Sequence, residues 1–143
     1  MAAMSIETYF HKGEGYNPFL IREGWQVAQL NHVATHGLND IVDVERHANT
    51  DEVFILFKGK AVLISASFDT AELKFEYLAM KQGVTYNVPA GLWHNIAMSR
   101  DCQIMIIEKD NTHNNDVEHK PLSQKQLQEA YRRIAQVADC ALI

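Results

Sequence analysis

The chain has 143 residues, 47% hydrophobic and 22% charged, with a formal charge of −5. This composition suits one soluble globular domain and excludes a disordered chain, which could not bury enough apolar surface to fold. Its 13 basic residues against 18 acidic ones, scattered except at Arg132-Arg133, leave no clustered positive face for a nucleic-acid backbone.

Residues 1–24, rich in glycine and polar groups, read as a surface wrap before the first long strand. Met1 to Leu20 contain no apolar block of signal-peptide length, and no run nears the roughly 18 apolar residues of a membrane span. The expected setting is cytoplasmic, with Cys102 and Cys140 as free thiols.

From Trp25 the chain changes character. Trp25 to Leu30 and Ile41 to His47 are strand-like runs separated by the turn residues Gly37-Leu38-Asn39-Asp40. Val53 to Phe57 is wholly apolar, Lys58-Gly59-Lys60 turns it, and Ala61 to Ala66 returns, a pattern that reads as a hairpin. After a turn at Phe68 to Glu72, Leu73 to Leu78 alternates apolar and polar side chains. Gly83 and Pro89-Ala90-Gly91 bracket a strand through Tyr86. His94 to Met98 and Gln103 to Glu108 form an expected last pair, turned at Ser99-Arg100-Asp101. About eight strands at intervals of roughly 8–12 residues, with no helix among them, predict an antiparallel barrel or double sheet.

Beyond Asp110 the chain reads as polar loop until Ser123, which precedes Gln126 in a capping-box pattern and opens a helix over about 123–139. Leu127, Ala130, Tyr131, Ile134, Val137 and Ala138 make one apolar stripe on it. That stripe is expected to close an end of the barrel or to seam a dimer, with partner binding as the functional alternative. The whole chain, 1–143, reads as one domain with its barrel over about 25–110.

Side chains alternate across a strand, so Glu45 and His47 share a side with Asp43 and Ile41, while Val44 and Arg46 face the other. Glu52 falls in phase with Phe54 and Leu56, which aims a carboxylate into an apolar interior. An isolated ion there costs several kcal/mol unless a partner compensates it, and a metal would. The Pro89 to Gly91 turn fixes where His94 is aimed. His47, His94 and Glu52 are therefore metal-ligand candidates, with Glu45 as a fourth ligand or a general base. Tyr86 is either a core tyrosine or a cavity-facing proton donor, and stands beside Glu45 as a catalytic candidate. His32, His36, His113 and His119 lack such framing and read as surface residues.

His47, Glu52 and Gly59 resemble the first sequence motif of the cupin superfamily, in which a histidine pair precedes a glutamate, six residues and a glycine. Gly83, Pro89, Gly91 and His94 match the second motif in full. Glu45 stands where the first histidine of the pair is expected, Asn39 where a glycine is, and Met98 where an asparagine follows. The resemblance, over about residues 25 to 108, implies an all-β jelly-roll barrel, often a homodimer, holding a divalent metal (Fe, Mn, Ni or Zn) beside a small-molecule ligand. It also implies an isomerase or epimerase of sugars, a dioxygenase or a lyase, or else a non-catalytic module that binds or senses a small ligand. Neither nucleic acid nor membrane is an expected partner.

Overall fold

The structure, a computed structural model, describes residues 4–140 without the side chain of Cys140, so the thiol expected there lies outside the described residues. Among the described residues ten strands form two five-stranded sheets. The first contains β1 (Gly15–Arg22), β2 (Trp25–Asn31), β4 (Glu52–Lys58), β7 (Thr85–Val88) and β9 (Gln103–Glu108), in the order β1-β2-β9-β4-β7. The second contains β3 (Asp43–Arg46), β5 (Ala61–Asp69), β6 (Glu72–Ala79), β8 (Trp93–Met98) and β10 (Glu118–Pro121), in the order β10-β3-β8-β5-β6. Every pair of named strands is antiparallel. Alternation along these strands turns Leu30, Phe54, Leu56, Leu63, Ile96, Ile104 and Ile106 into one core between the sheets. This is the jelly-roll architecture expected from the sequence.

The connections differ from expectation. The N-terminal wrap contains β1, which pairs with β2 through a tight turn at Gly24, where φ is 90°. The runs on either side of Gly59 do not form a hairpin, because β4 lies in the first sheet and β5 in the second. The same holds for β8 and β9 around Ser99 to Asp101. Both short turns step across the sandwich, so that the apolar faces they join meet in the core.

These two corners hold each other. The Ser99 N–H donates to the Lys60 carbonyl at 2.9 Å, and the Lys60 N–H donates to the Ser99 hydroxyl at 2.9 Å. Gly59 sits between them at φ 79°, where a Cβ would lie 2.7 Å from the Cys102 Cα. Gly83 has a similar φ of 80° but nothing within 4 Å of its position. Gly59→Ala is therefore expected to cost about 3 kcal/mol and lower Tm by about 10 °C, against about 1 kcal/mol for Gly83→Ala. Equal melting temperatures for the two variants would remove close packing as the reason for Gly59.

Ile41 departs from the alternation expected of it. It precedes β3, so the strand's phase does not extend to it, and it packs outside the sandwich with Val62 and Ile64. After a one-turn helix α1 (Thr112–Asn115), the long helix α2 (Gln124–Cys140) covers that outer face with Ala130, Ile134 and Ala138. Its start is the expected capping box: the Gln126 N–H donates to the Ser123 hydroxyl, and the Ser123 N–H donates to the Gln126 side chain. The helix lies along a sheet and does not close the barrel end. Burial on both faces makes the second sheet a firm base for β3 and β8. Among the described residues no helix is long and apolar enough to cross a membrane.

Candidate metal centre

The two motif turns are bonded to each other. The Gly91 N–H donates to the His47 carbonyl at 2.7 Å. Asp51 takes the Ala90 N–H on one carboxylate oxygen at 2.9 Å and the Asn87 amide on the other at 3.1 Å. In the adjoining strands Glu45 stands opposite His94. Val44 and Arg46 face away, Val44 packing against Leu122 and Leu127 and the Arg46 guanidinium lying 4.5 Å from the centre of the Trp93 ring.

This frame gathers the predicted side chains. The imidazole rings of His47 and His94 have centroids 5.5 Å apart. Glu52 reaches between them, 2.6 Å from His47 Nε2 and 3.8 Å from His94 Nε2. One potential ligand atom from each of Glu45, His47 and His94 lies within 4.8 Å of the others, and the same is true of His47, Glu52 and Glu108. The described residues thus contain a His/Glu cluster able to hold a metal ion.

Both imidazoles are oriented by backbone. His47 Nδ1 donates to the Asp116 carbonyl at 2.5 Å, and His94 Nδ1 donates to the Leu92 carbonyl at 3.0 Å. A carbonyl only accepts, so each Nδ1 carries a proton, and each ring, once its Nε2 is deprotonated, turns that lone pair inward. Asp116 is itself clamped, its carboxylate taking the Ala48 and Asn49 N–H groups. His94 Nε2 is buried and has no hydrogen-bond partner. Such an atom is costly unless something fills the place it faces. Imidazoles anchored through Nδ1, converging with carboxylates, are the donor set of a divalent first-row cation.

Without a cation the cluster is electrostatically tense. Burial disfavours a charged imidazole at His47, but the Glu52 hydrogen bond and charge outweigh it and raise the pKa to about 9. Burial opposes charging of His94 as well, and Glu52 again shifts its pKa upward. Burial also resists ionisation of Glu52, yet the two imidazoles hold its pKa well below the usual carboxylate range. Glu108 is pushed the other way, by burial first and then by the Glu52 charge.

The cluster lines a cavity of about 290 Å³ whose apolar wall includes Leu30, Phe54, Ile96 and Ile106. Its polar wall extends beyond the predicted residues to Tyr16, Asn95, Glu108 and His113, and His36 and His119 lie on it as well. Three of the four histidines read as surface residues, His36, His113 and His119, therefore border the cavity, and His32 does not. Glu108 was detectable: it follows Ile104 and Ile106 in phase, the signal that marked Glu52. Tyr16 carries no such signal, because β1 was not evident as a strand. Tyr86 does not line the cavity; its ring packs against the core and its hydroxyl accepts the Lys81 N–H at 2.8 Å.

No protein-family model matches the chain, and no curated protein matches its sequence. Among solved structures it is similar to Pac13, a nucleoside dehydratase, at 11% identity over 83% of this chain and 96% of that one, with a TM-score of 0.56. A variant of the Streptomyces PAC13 protein solved with uridine matches over 87% of this chain and 98% of that one, at 12% identity and a TM-score of 0.55. A cupin-2 domain protein from Shewanella frigidimarina is 24% identical over 70% of this chain and 84% of its own, with a TM-score of 0.46. The chain has the cupin fold.

Proposed function

We propose that this cupin is a small enzyme that binds a divalent cation through His47, His94, Glu52 and Glu45 and acts on a small, neutral, hydroxylated molecule. One observation carries the reading: His94 Nε2 is buried, unpartnered and turned into a cavity beside carboxylates. A bound ion supplies Lewis acidity or oxygen activation. Iron, manganese, nickel and zinc all accept this donor set. The chain's own part is to hold both imidazoles by their Nδ1 atoms, to keep water from the apolar wall, and to present Glu45 at the half-buried side of the cluster as ligand or proton acceptor.

The cavity's charge supports the substrate class. No lysine or arginine is among its lining residues, whereas Glu45, Glu52 and Glu108 are. Apart from the bound ion itself, a phosphate or carboxylate would meet three acids and no lysine or arginine, while a sugar-like molecule meets hydrogen-bonding groups and an apolar wall. Uridine, the molecule in the PAC13 variant structure, is neutral and carries a ribose. Isomerase or epimerase chemistry on a sugar-like compound fits these features better than oxidation of a small dianion. A cytoplasmic homodimer belongs to the same reading, the exposed Trp25 and Phe57 on the outer face of the first sheet supporting the dimer alone.

Chelator-stripped protein titrated with MnCl2 or ZnCl2 tests the proposal. One equivalent of ion is expected to bind and, at about 100 times its Kd, to stabilise the fold by about 2.7 kcal/mol. Ribose or uridine should shift the melting of the loaded protein further, and ribose 5-phosphate should shift it less. No stoichiometric ion binding would overturn the reading, and ion binding without turnover of any compound would favour a sensing module.

A further inference from the structure

Glu108 lies outside both sequence motifs, yet it stands directly opposite Glu52 in the pairing of β4 with β9. Both carboxyls point inward, at 7% and 5% exposure, with no lysine or arginine lining the space around them. Like charges set opposite each other across two strands are destabilising, and burial sharpens the conflict. The imidazoles counter Glu52, but Glu108 has no basic side chain of its own, so the second carboxyl still needs a cation or a shared proton.

The surroundings of Glu108 favour the cation. Its Oε1 accepts the Tyr16 hydroxyl at 2.5 Å and the Gln26 amide at 3.0 Å. Gln26 is fully buried and is fixed in turn by the Asn111 N–H, which donates to its Oε1 at 2.8 Å. One carboxylate oxygen thus takes both hydrogen bonds and the carboxyl plane is set, while Oε2 accepts neither of them and is left for Glu52 or a shared cation. A carboxylate locked through one oxygen and open at the other is what outer hydrogen bonds produce around a metal ligand. Glu108 also forms a triad with His47 and Glu52, and His47 belongs equally to the triad with Glu45 and His94. A shared proton would satisfy only the carboxyl pair and would leave His94 Nε2 without a partner. A divalent cation serves both.

We propose that Glu108 is a further ligand of the divalent cation, with Tyr16 and Gln26 as the positioning residues that orient it. This inference rests on the metal-binding reading above and extends it to a residue that neither motif includes.

The test is calorimetric titration of MnCl2 into metal-free wild type, Glu108→Gln, Tyr16→Phe, the double variant and His94→Ala, with melting curves of each metal-free protein. Glutamine keeps the shape of Glu108 and can still accept from Tyr16, so the metal-free variant is expected to melt at or above the wild-type temperature. Its Mn²⁺ affinity is expected to fall about 10- to 100-fold. Tyr16→Phe should weaken binding by a smaller factor and should add nothing to Glu108→Gln, because it acts only through that carboxylate. Wild-type affinity in Glu108→Gln, with binding lost in His94→Ala, would overturn this inference, assign the carboxyl pair a shared proton and leave the metal reading standing. Unchanged affinity in both variants would overturn the two together. Should Glu108→Gln fail to fold, Tyr16→Phe decides, since wild-type affinity there removes the positioning role.

Discussion

His94→Ala lowers divalent-cation affinity at least about 100-fold, more than the 10- to 100-fold typical of disturbing an outer partner of a ligand. The ring is held by the Leu92 carbonyl at Nδ1 and offers Nε2 to the cavity, so its removal deletes a donor outright and leaves the frame of the site intact. The motif turns remain joined through the His47 carbonyl and Asp51, which do not depend on the His94 side chain. Metal-free His94→Ala is accordingly expected to unfold cooperatively, at a temperature below wild type by the lost packing and the lost attraction to Glu52. Tyr86→Phe is the matched control: its hydroxyl serves the Lys81 N–H on the far side of the core wall, and cation affinity should not change. Equal losses in the two variants would show that binding reports general loosening of the barrel and not ligation by His94.

The metal-free protein loses stability as pH rises from about 5.5 to 9, and a bound cation reverses that slope. His47 is raised from 6.5 to about 9 in the folded state, so its contribution is complete below 6.5 and disappears as pH climbs through 9. That contribution alone is on the order of 3 kcal/mol, or about 10 °C in Tm. His94 is shifted in the same direction and adds to the decline. Glu108, raised by burial, is easy to keep neutral at low pH and costly once it ionises, which steepens the fall. Glu52 acts oppositely, but its lowered pKa places its loss of stabilisation below 4.5, outside this window. A divalent ion requires deprotonated imidazoles and carboxylates, so its affinity and the stabilisation it gives grow with pH. Melting curves of chelator-treated and metal-saturated protein between pH 5.5 and 9 should therefore diverge. A metal-free Tm that is flat or rising across that range would contradict the electrostatic account of the cluster.

Local signals were legible and long-range ones were not. Glu52 was identifiable because a carboxylate interrupts the apolar phase of Phe54 and Leu56, and period-two alternation depends only on adjacent residues. Glu108 carried the same signal behind Ile104 and Ile106. Gln26 did as well, in phase with Ala28 and Leu30, although it turned out to be a support for Glu108 and not a core oddity. The Ser123–Gln126 capping box was equally plain, since its bonds span three residues. By contrast, a turn such as Lys58-Gly59-Lys60 reads the same whether the next strand pairs with the last or crosses to another sheet. What distinguishes the two is the contact of Gly59 with Cys102, which is remote in sequence. For the same reason Tyr86 remained ambiguous: alternation indicates which way a side chain faces but not how far along the barrel it sits.

Sequence alone determined that the chain folds as antiparallel strands followed by a capped helix, and that His47, Glu52 and His94 bear on one interior, because strand alternation and turn chemistry act over a few residues. Tertiary structure decided which strands share a sheet, which face the helix covers, and that Tyr16, Gln26 and Glu108 join the imidazoles. Those outcomes rest on contacts between residues up to 92 positions apart, such as Tyr16 with Glu108, where only the closing of the barrel brings the partners within reach.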